Sequence, residues 1–156
     1  MELSIVVVNW NGGALLGRCV ESIAARPPSV AFEVIVVDNA SSDDSVARMR
    51  GGEGARALAG AGRLRVVENA ENLGFGRANN QAFGLTRAPL VFLLNPDTEV
   101  TEGAVDTLIG TLRADARVAA TGPKLLNADG SLQVSVWRNP PAAWEMLLTG
   151  DRKSVV

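Results

Sequence analysis

The sequence predicts an α/β fold, a mostly parallel sheet with helices on both faces joined by right-handed crossovers. Three observations carry the prediction. Apolar runs at Ile5–Val8, Val34–Val37 and Leu90–Leu94 each end in a polar turn. Apolar stripes at helical spacing alternate with these runs. The run Leu90–Leu94 is apolar at every position, which is how a strand covered on both faces reads.

The elements follow in order. "ELSIVVVNWN" is a β-branched strand, and Leu15, Leu16, Cys19, Val20 and Ile23 form a helical stripe that stops before Pro27-Pro28. A strand over Phe32–Val37, a turn at Asp38–Ser42 and a helix capped by Ser42 or Asp43 make the second unit. Gly51–Gly62 holds five glycines and reads as a flexible surface connection with at most one helical turn. A short strand at Leu64–Val67, a long polar loop, a helix over Gly76–Thr86 and the strand Leu90–Leu94, buried on both faces, come next. Thr101 is an N-cap for the stripe Ala104, Val105, Leu108, Ile109 and Leu112. A short strand at Val118–Thr121 and a hairpin turning at Asn127–Gly130 follow. The segment 137–156 is an extra, apolar piece with a short helix and no strand to close the sheet. Its Trp137, Trp144, Met146, Leu147 and Leu148 predict packing on a neighbouring copy, as a homodimer or higher oligomer.

At 156 residues the chain fits a single domain over 1–156, and 47% hydrophobic content with a net charge of −2 describes an ordinary globule. That balance argues against a nucleic-acid partner. No apolar run approaches the roughly 20 residues of a membrane span, and the first residues do not read as a basic, apolar and cleavage-site series. The expected location is the cytoplasm, with any approach to the inner face of the membrane made through other parts. There is no histidine and one cysteine, so Ser-His and Cys-His catalysis and His-ligated zinc are excluded. Cys19, inside its stripe, reads as a structural thiol. Acid-base work falls to carboxylates, and a metal site to oxygen ligands.

Three polar clusters, Asn9-Trp10-Asn11, Asp38-Asn39 and Asn95-Pro96-Asp97, follow predicted strands at their carboxyl ends. In a parallel sheet those ends share one edge, where open α/β sheets bind ligands. Each cluster alone is also ordinary turn chemistry. Asp97, flanked by the Asn95 carbonyl and stiffened by Pro96, offers one or two hard oxygens to Mg²⁺ or Mn²⁺, with water and phosphates completing the shell. A solvated turn before the next helix fits the spacing equally. "GFGRAN", Gly74–Asn79, is not a dinucleotide fingerprint: Asn79 stands at the third glycine position, and six residues separate Val67 from Gly74. Its glycines either admit backbone amides to a phosphate or lend the loop flexibility.

"SIVVVNWNG", "VIVVDNASSDDS", "NLGFGRANNQA" and "LLNPDTEV", in this order and spacing, resemble the family 2 inverting glycosyltransferases of the GT-A fold, in particular their rhamnosyltransferase-like branch. The resemblance runs from about Ser4 to Val136. It implies a GT-A-like, Rossmann-like sheet and a bacterial transferase of cell-wall or polysaccharide biosynthesis. It implies that Val8, Asn9, Trp10, Asn11, Asp38 and Asn39 hold the nucleoside, that Gly74 to Asn80, with Asn79, lie along the donor, and that Asn95-Pro96-Asp97 corresponds to Asp-x-Asp, with the metal on Asp97. The donor would be dTDP-rhamnose or a UDP-sugar, transferred to a glycan or lipid-linked acceptor by direct displacement. The family's later acidic motif, which supplies the general base, has no counterpart: after Asp129 only Glu145 and Asp151 are acidic. The expectation is a C-terminally incomplete, donor-binding part, inactive alone. A nucleotide-binding module without transfer activity is the competing reading. A nucleotidyltransferase wants a basic, glycine-rich loop after the first strand, and "NWNGGALLGR" has only Arg18.

Overall fold

The computed structural model describes residues 1–133, in two compact units, Met1–Thr121 and the start of Gly122–Val156. In the first unit β1 (Leu3–Asn9), β2 (Phe32–Asp38), β3 (Leu64–Glu68) and β4 (Leu90–Leu94) form one parallel sheet in the order β3-β2-β1-β4. Helices α1 (Ala14–Ala25), α2 (Ser45–Gly51), α3 (Glu53–Gly60), α4 (Phe75–Phe83) and α5 (Ala104–Ala114) connect and flank it. The predicted class, a parallel sheet flanked by helices, is what the chain forms.

The period-2 alternation of strands divides the apolar runs between two cores. Ile5, Val7, Val34 and Val36 pack with Leu16, Cys19, Val20 and Ile23 of α1 and with Val105 and Ile109 of α5. Val6, Val8, Ile35 and Val37 pack under Ala78 and Ala82 of α4. Small alanines there let α4 lie close to the sheet. Every residue of β1 and β2 is buried, and each such aliphatic side chain contributes about 1.5–3 kcal/mol. Cys19 is fully buried. Its pKa is pushed up to about 12, by burial first and then by the negative charges of Asp97 and Glu99. It is the structural thiol the spacing predicts.

Several expectations are corrected. β4 is not buried on both faces: Val91 and Leu93 are 38% and 49% exposed. They point to the face that α4 covers, and α4 lies over β1 and β2 rather than over this outer strand. Gly51–Gly62 is not a loose connection but carries α3, whose Ala55 and Leu58 are buried. Its glycines are points of close approach. Gly54 N donates to both carboxylate oxygens of Glu21, at 3.0 and 2.9 Å, and a Cβ on Gly54 would stand 2.7 Å from that of Ala24.

No strand forms at Val118–Thr121, where the Val118 amide instead closes a turn onto the Asp115 carbonyl. Neither Ser42 nor Thr101 caps a helix with its side chain: the N-caps are Asp44 and Gly103. The Asp43 carboxylate does accept from the first amide of α2, Ser45 N, at 3.1 Å.

In the second unit Leu126 and Leu132 pair antiparallel about a turn closed by Gly130 N on the Asn127 carbonyl, the predicted hairpin. The short helix, the apolar association surface, Glu145 and Asp151 lie outside the described residues. Among the described residues no helix is long and apolar enough to cross a membrane.

Candidate functional site

β1 ends on Asn9, directly opposite Asp38 of β2, and on its other side Val7 pairs with Leu94 of β4. All three predicted clusters therefore leave the sheet at one edge. The Asn9 side chain is fully buried. Its Nδ2 lies 2.7 Å from Asp38 Oδ1, 3.1 Å from Ser41 Oγ and 2.9 Å from Ser45 Oγ. Asp38, 5% exposed, also receives the Ser41 hydroxyl on Oδ1 at 2.6 Å and the Ser41 amide on Oδ2 at 3.0 Å.

Asn11, at φ 51°, accepts the Ser42 amide on Oδ1 at 2.8 Å and donates its own backbone N–H to Ser41 Oγ at 2.8 Å. Positive φ is tolerated by Asn better than by most residues. Asp43 then reaches across to the start of α1, accepting Gly13 N at 2.9 Å. The Ser45 hydroxyl, followed by the Ser45 and Gly13 amides, holds its carboxyl below the usual range. The β1 and β2 loops are thus laced together by Ser41, Ser42, Asp43 and Ser45. Of these, sequence reasoning weighed only Ser42 and Asp43, and only as helix caps. The "SSDDS" run was the available signal.

Asn39, 2% exposed, spends its amide on the β3–α4 loop. It accepts Asn69 Nδ2 at 3.2 Å and Leu73 N at 2.9 Å, and donates to Asn72 Oδ1 at 2.6 Å. Asn72 Oδ1 takes Gly74 N at 2.8 Å as well, and Asn69 exchanges two hydrogen bonds with Gln81 of α4. This fixes the turn into α4, where Gly74 has φ 81°. Asn79 is buried and returns its Nδ2 to the Phe75 carbonyl. Val8 is packed under α4. Trp10, Asn11, Gly74, Asn95 and Asp97 are exposed.

The Asn95–Val100 loop is held from α1. Cys19 Sγ donates to the Asn95 carbonyl at 3.6 Å, Val100 N donates to Ser22 Oγ at 2.8 Å, and Arg26 Nη1 donates to the Val100 carbonyl at 3.3 Å. Arg18 and Glu99 pair at 3.2 Å across exposed surface, a contact of small energetic value. Among the described residues the Asp97 carboxylate has one side-chain hydrogen bond, from Thr98 Oγ1 at 3.5 Å. Among the described residues no group of three or more His, Cys, Asp or Glu could hold a metal ion. A single unspent carboxylate at the sheet edge does fit a Mg²⁺-like ion that draws its other ligands from a diphosphate and water.

A parallel sheet with its polar groups gathered at the carboxyl edge defines the class, an open α/β domain with its site at that edge. Residues 4–149 match the family described as "Glycosyl transferase family 2". The chain belongs to that family.

It is 32% identical over 108 residues to the succinoglycan biosynthesis protein ExoU of Rhizobium meliloti, covering 69% of this chain and 30% of that protein. It is 28% identical over 152 residues to an N-acetylglucosaminyl-diphospho-decaprenol L-rhamnosyltransferase of Mycobacterium tuberculosis, covering 88% and 46%. The chain thus spans less than half the length of these relatives.

Among solved structures, the mannosyltransferase PcManGT of Pyrobaculum calidifontis, in complex with GDP-Man and Mn²⁺, superposes with a TM-score of 0.65 at 24% identity, over 73% of this chain and 32% of that one. S. aureus TarS 1–349 in complex with UDP-GlcNAc gives 0.61 at 21% identity, over 73% and 32%. At these identities the structures speak for the fold. Family and fold are those the four sequence motifs resemble.

Proposed function

We propose that the chain is the donor-binding part of an inverting glycosyltransferase, taking a nucleoside diphosphate sugar, dTDP-rhamnose or a UDP-sugar, for transfer to a glycan or lipid-linked acceptor in bacterial polysaccharide synthesis. The observation that carries the reading is the convergence of Asp38 and Asp97, two strands apart, on the carboxyl edge of one parallel sheet. The rhamnosyltransferase relative and the superposing structures that hold UDP-GlcNAc or GDP-Man support it.

In this reading Asp38 accepts a hydrogen bond from the nucleoside, with Trp10 and Asn11 beside it. Gly74 brings backbone toward the donor, and Asn95 and Asp97 face the diphosphate. Asp97 would hold Mg²⁺ or Mn²⁺, which when bound supplies positive charge against the leaving diphosphate. In this reading the assigned groups all serve the donor, and the general base for the acceptor hydroxyl is left unassigned. One sugar-nucleotide domain over 1–156, a cytoplasmic site of action at the membrane's inner face and self-association through 137–156 complete the proposal.

Calorimetry with UDP and dTDP, each with and without Mg²⁺ or Mn²⁺, tests it. Heat with at least one nucleotide, tighter in the presence of metal, is expected. A folded sample giving none with either would refute the reading.

A further inference from the structure

Among the described residues, one buried side-chain polar atom lacks a partner: Asn9 Oδ1. Its surroundings explain the orientation of the whole amide. The Ser41 hydroxyl gives its proton to Asp38, and the Ser45 hydroxyl gives its proton to Asp43. Both oxygens therefore turn lone pairs toward position 9, and Asp38 Oδ1 does the same. Three acceptors face the amide, so its nitrogen must point to them and its oxygen away. That oxygen comes to rest against Gly12, where a Cβ would collide with it. Glycine at 12 keeps open the slot that the orientation of Asn9 requires.

The consequence falls on Asp38. A carboxylate oxygen accepts about two hydrogen bonds. Among the described residues, Oδ1 is filled by Asn9 Nδ2 and Ser41 Oγ, whereas Oδ2 holds only the Ser41 amide. We propose that Asn9 and Gly12 are positioning residues that lock Asp38 so that Oδ2 alone has an acceptor site left for a ligand N–H or O–H. Asn9, which the motif resemblance counts among nucleotide contacts, then acts on the nucleotide through Asp38. The inference rests on the nucleotide-binding reading above.

A double-mutant cycle tests it on the full chain, with UDP or dTDP, whichever binds the unaltered protein. Asn9→Ala is expected to weaken binding about tenfold in the natural background and less than about twofold in an Asp38→Asn background, the non-additivity of residues acting as one unit. Gly12→Ala, which leaves both polar groups in place, is expected to show the same coupling, and it serves if Asn9→Ala does not fold. Circular dichroism on each variant confirms that affinities are read from folded protein. Equal losses in both backgrounds would mean that Asn9 supports the site generally rather than through Asp38, and would overturn the inference. Undiminished binding by both single variants would do so too. If the unaltered chain binds neither nucleotide, the functional reading fails and this inference fails with it.

Discussion

Asp97→Ala is expected to abolish the dependence of nucleotide binding on Mg²⁺ or Mn²⁺ while leaving the fold intact. The carboxylate is exposed and its side-chain contact is a marginal 3.5 Å hydrogen bond, so truncation should cost no more than about 0.5 kcal/mol of stability. The loop it rides on is fixed by backbone and α1 contacts that the substitution does not touch. What disappears is the one hard oxygen ligand the side chain offers. The gain from metal should fall from about tenfold or more, roughly 1.4 kcal/mol, to none. Titrations in Mg²⁺ and in chelator, compared for both proteins, measure this. A variant that still gains affinity from metal would make Asn95-Pro96-Asp97 a turn and nothing more.

Asp38→Ala is expected to fail differently, weakening nucleotide binding about 100-fold even in chelator. A hydrogen bond from ligand to a charged acceptor contributes about 1.5–3 kcal/mol, and the remaining loss follows from the collapse of the network around it. Asn9 Nδ2, Ser41 N and Ser41 Oγ all lose an acceptor. Asn9 Nδ2 keeps Ser41 Oγ and Ser45 Oγ, so the cost falls on the two Ser41 donors, and a buried donor left unpaired costs about 1–3 kcal/mol. Thermal unfolding should therefore shift downward by several degrees, where Asp97→Ala leaves it in place. Binding is compared well below both transitions. Unchanged metal-free affinity in folded Asp38→Ala would remove Asp38 from the site.

The sheet was legible because its signals are local. IVVV and VIVV are β-branched runs that turn chemistry closes, and the stripes of α1 and α5 need only helical spacing. α3 was hidden by composition: glycine signals freedom when read alone, and only the Glu21 carboxylate and the Ala24 methyl, some thirty residues earlier, show that Gly54 is there for contact. The exposure of β4 was hidden for a related reason. LVFLL is as apolar as a central strand, and its place at the edge is a property of topology.

At the site, residue type located the edge and left the roles open. An asparagine that meets a ligand and one that spends its amide inside the protein look alike in sequence. The partners that decide for Asn9 and Asn39 lie roughly thirty positions away. Ser41 and Ser45 were invisible as lacing because serines in a turn serve the turn first.

The two carboxylates are mounted unequally. Asp38 is seated on an interior strand and gripped by three donors, whereas Asp97 stands on the outer strand's loop with, among the described residues, one weak side-chain tether. A ligand held between them, as the proposed function has it, would meet one firmly fixed jaw and one lightly held jaw. In the proposed function the nucleoside end would meet the firmly held carboxylate, so a change of base or sugar edge there would register as misfit. The diphosphate end would meet a side chain that few contacts hold, free to turn toward one divalent ion or another. Strictness at one end and tolerance at the other would then follow from where each strand sits in the sheet.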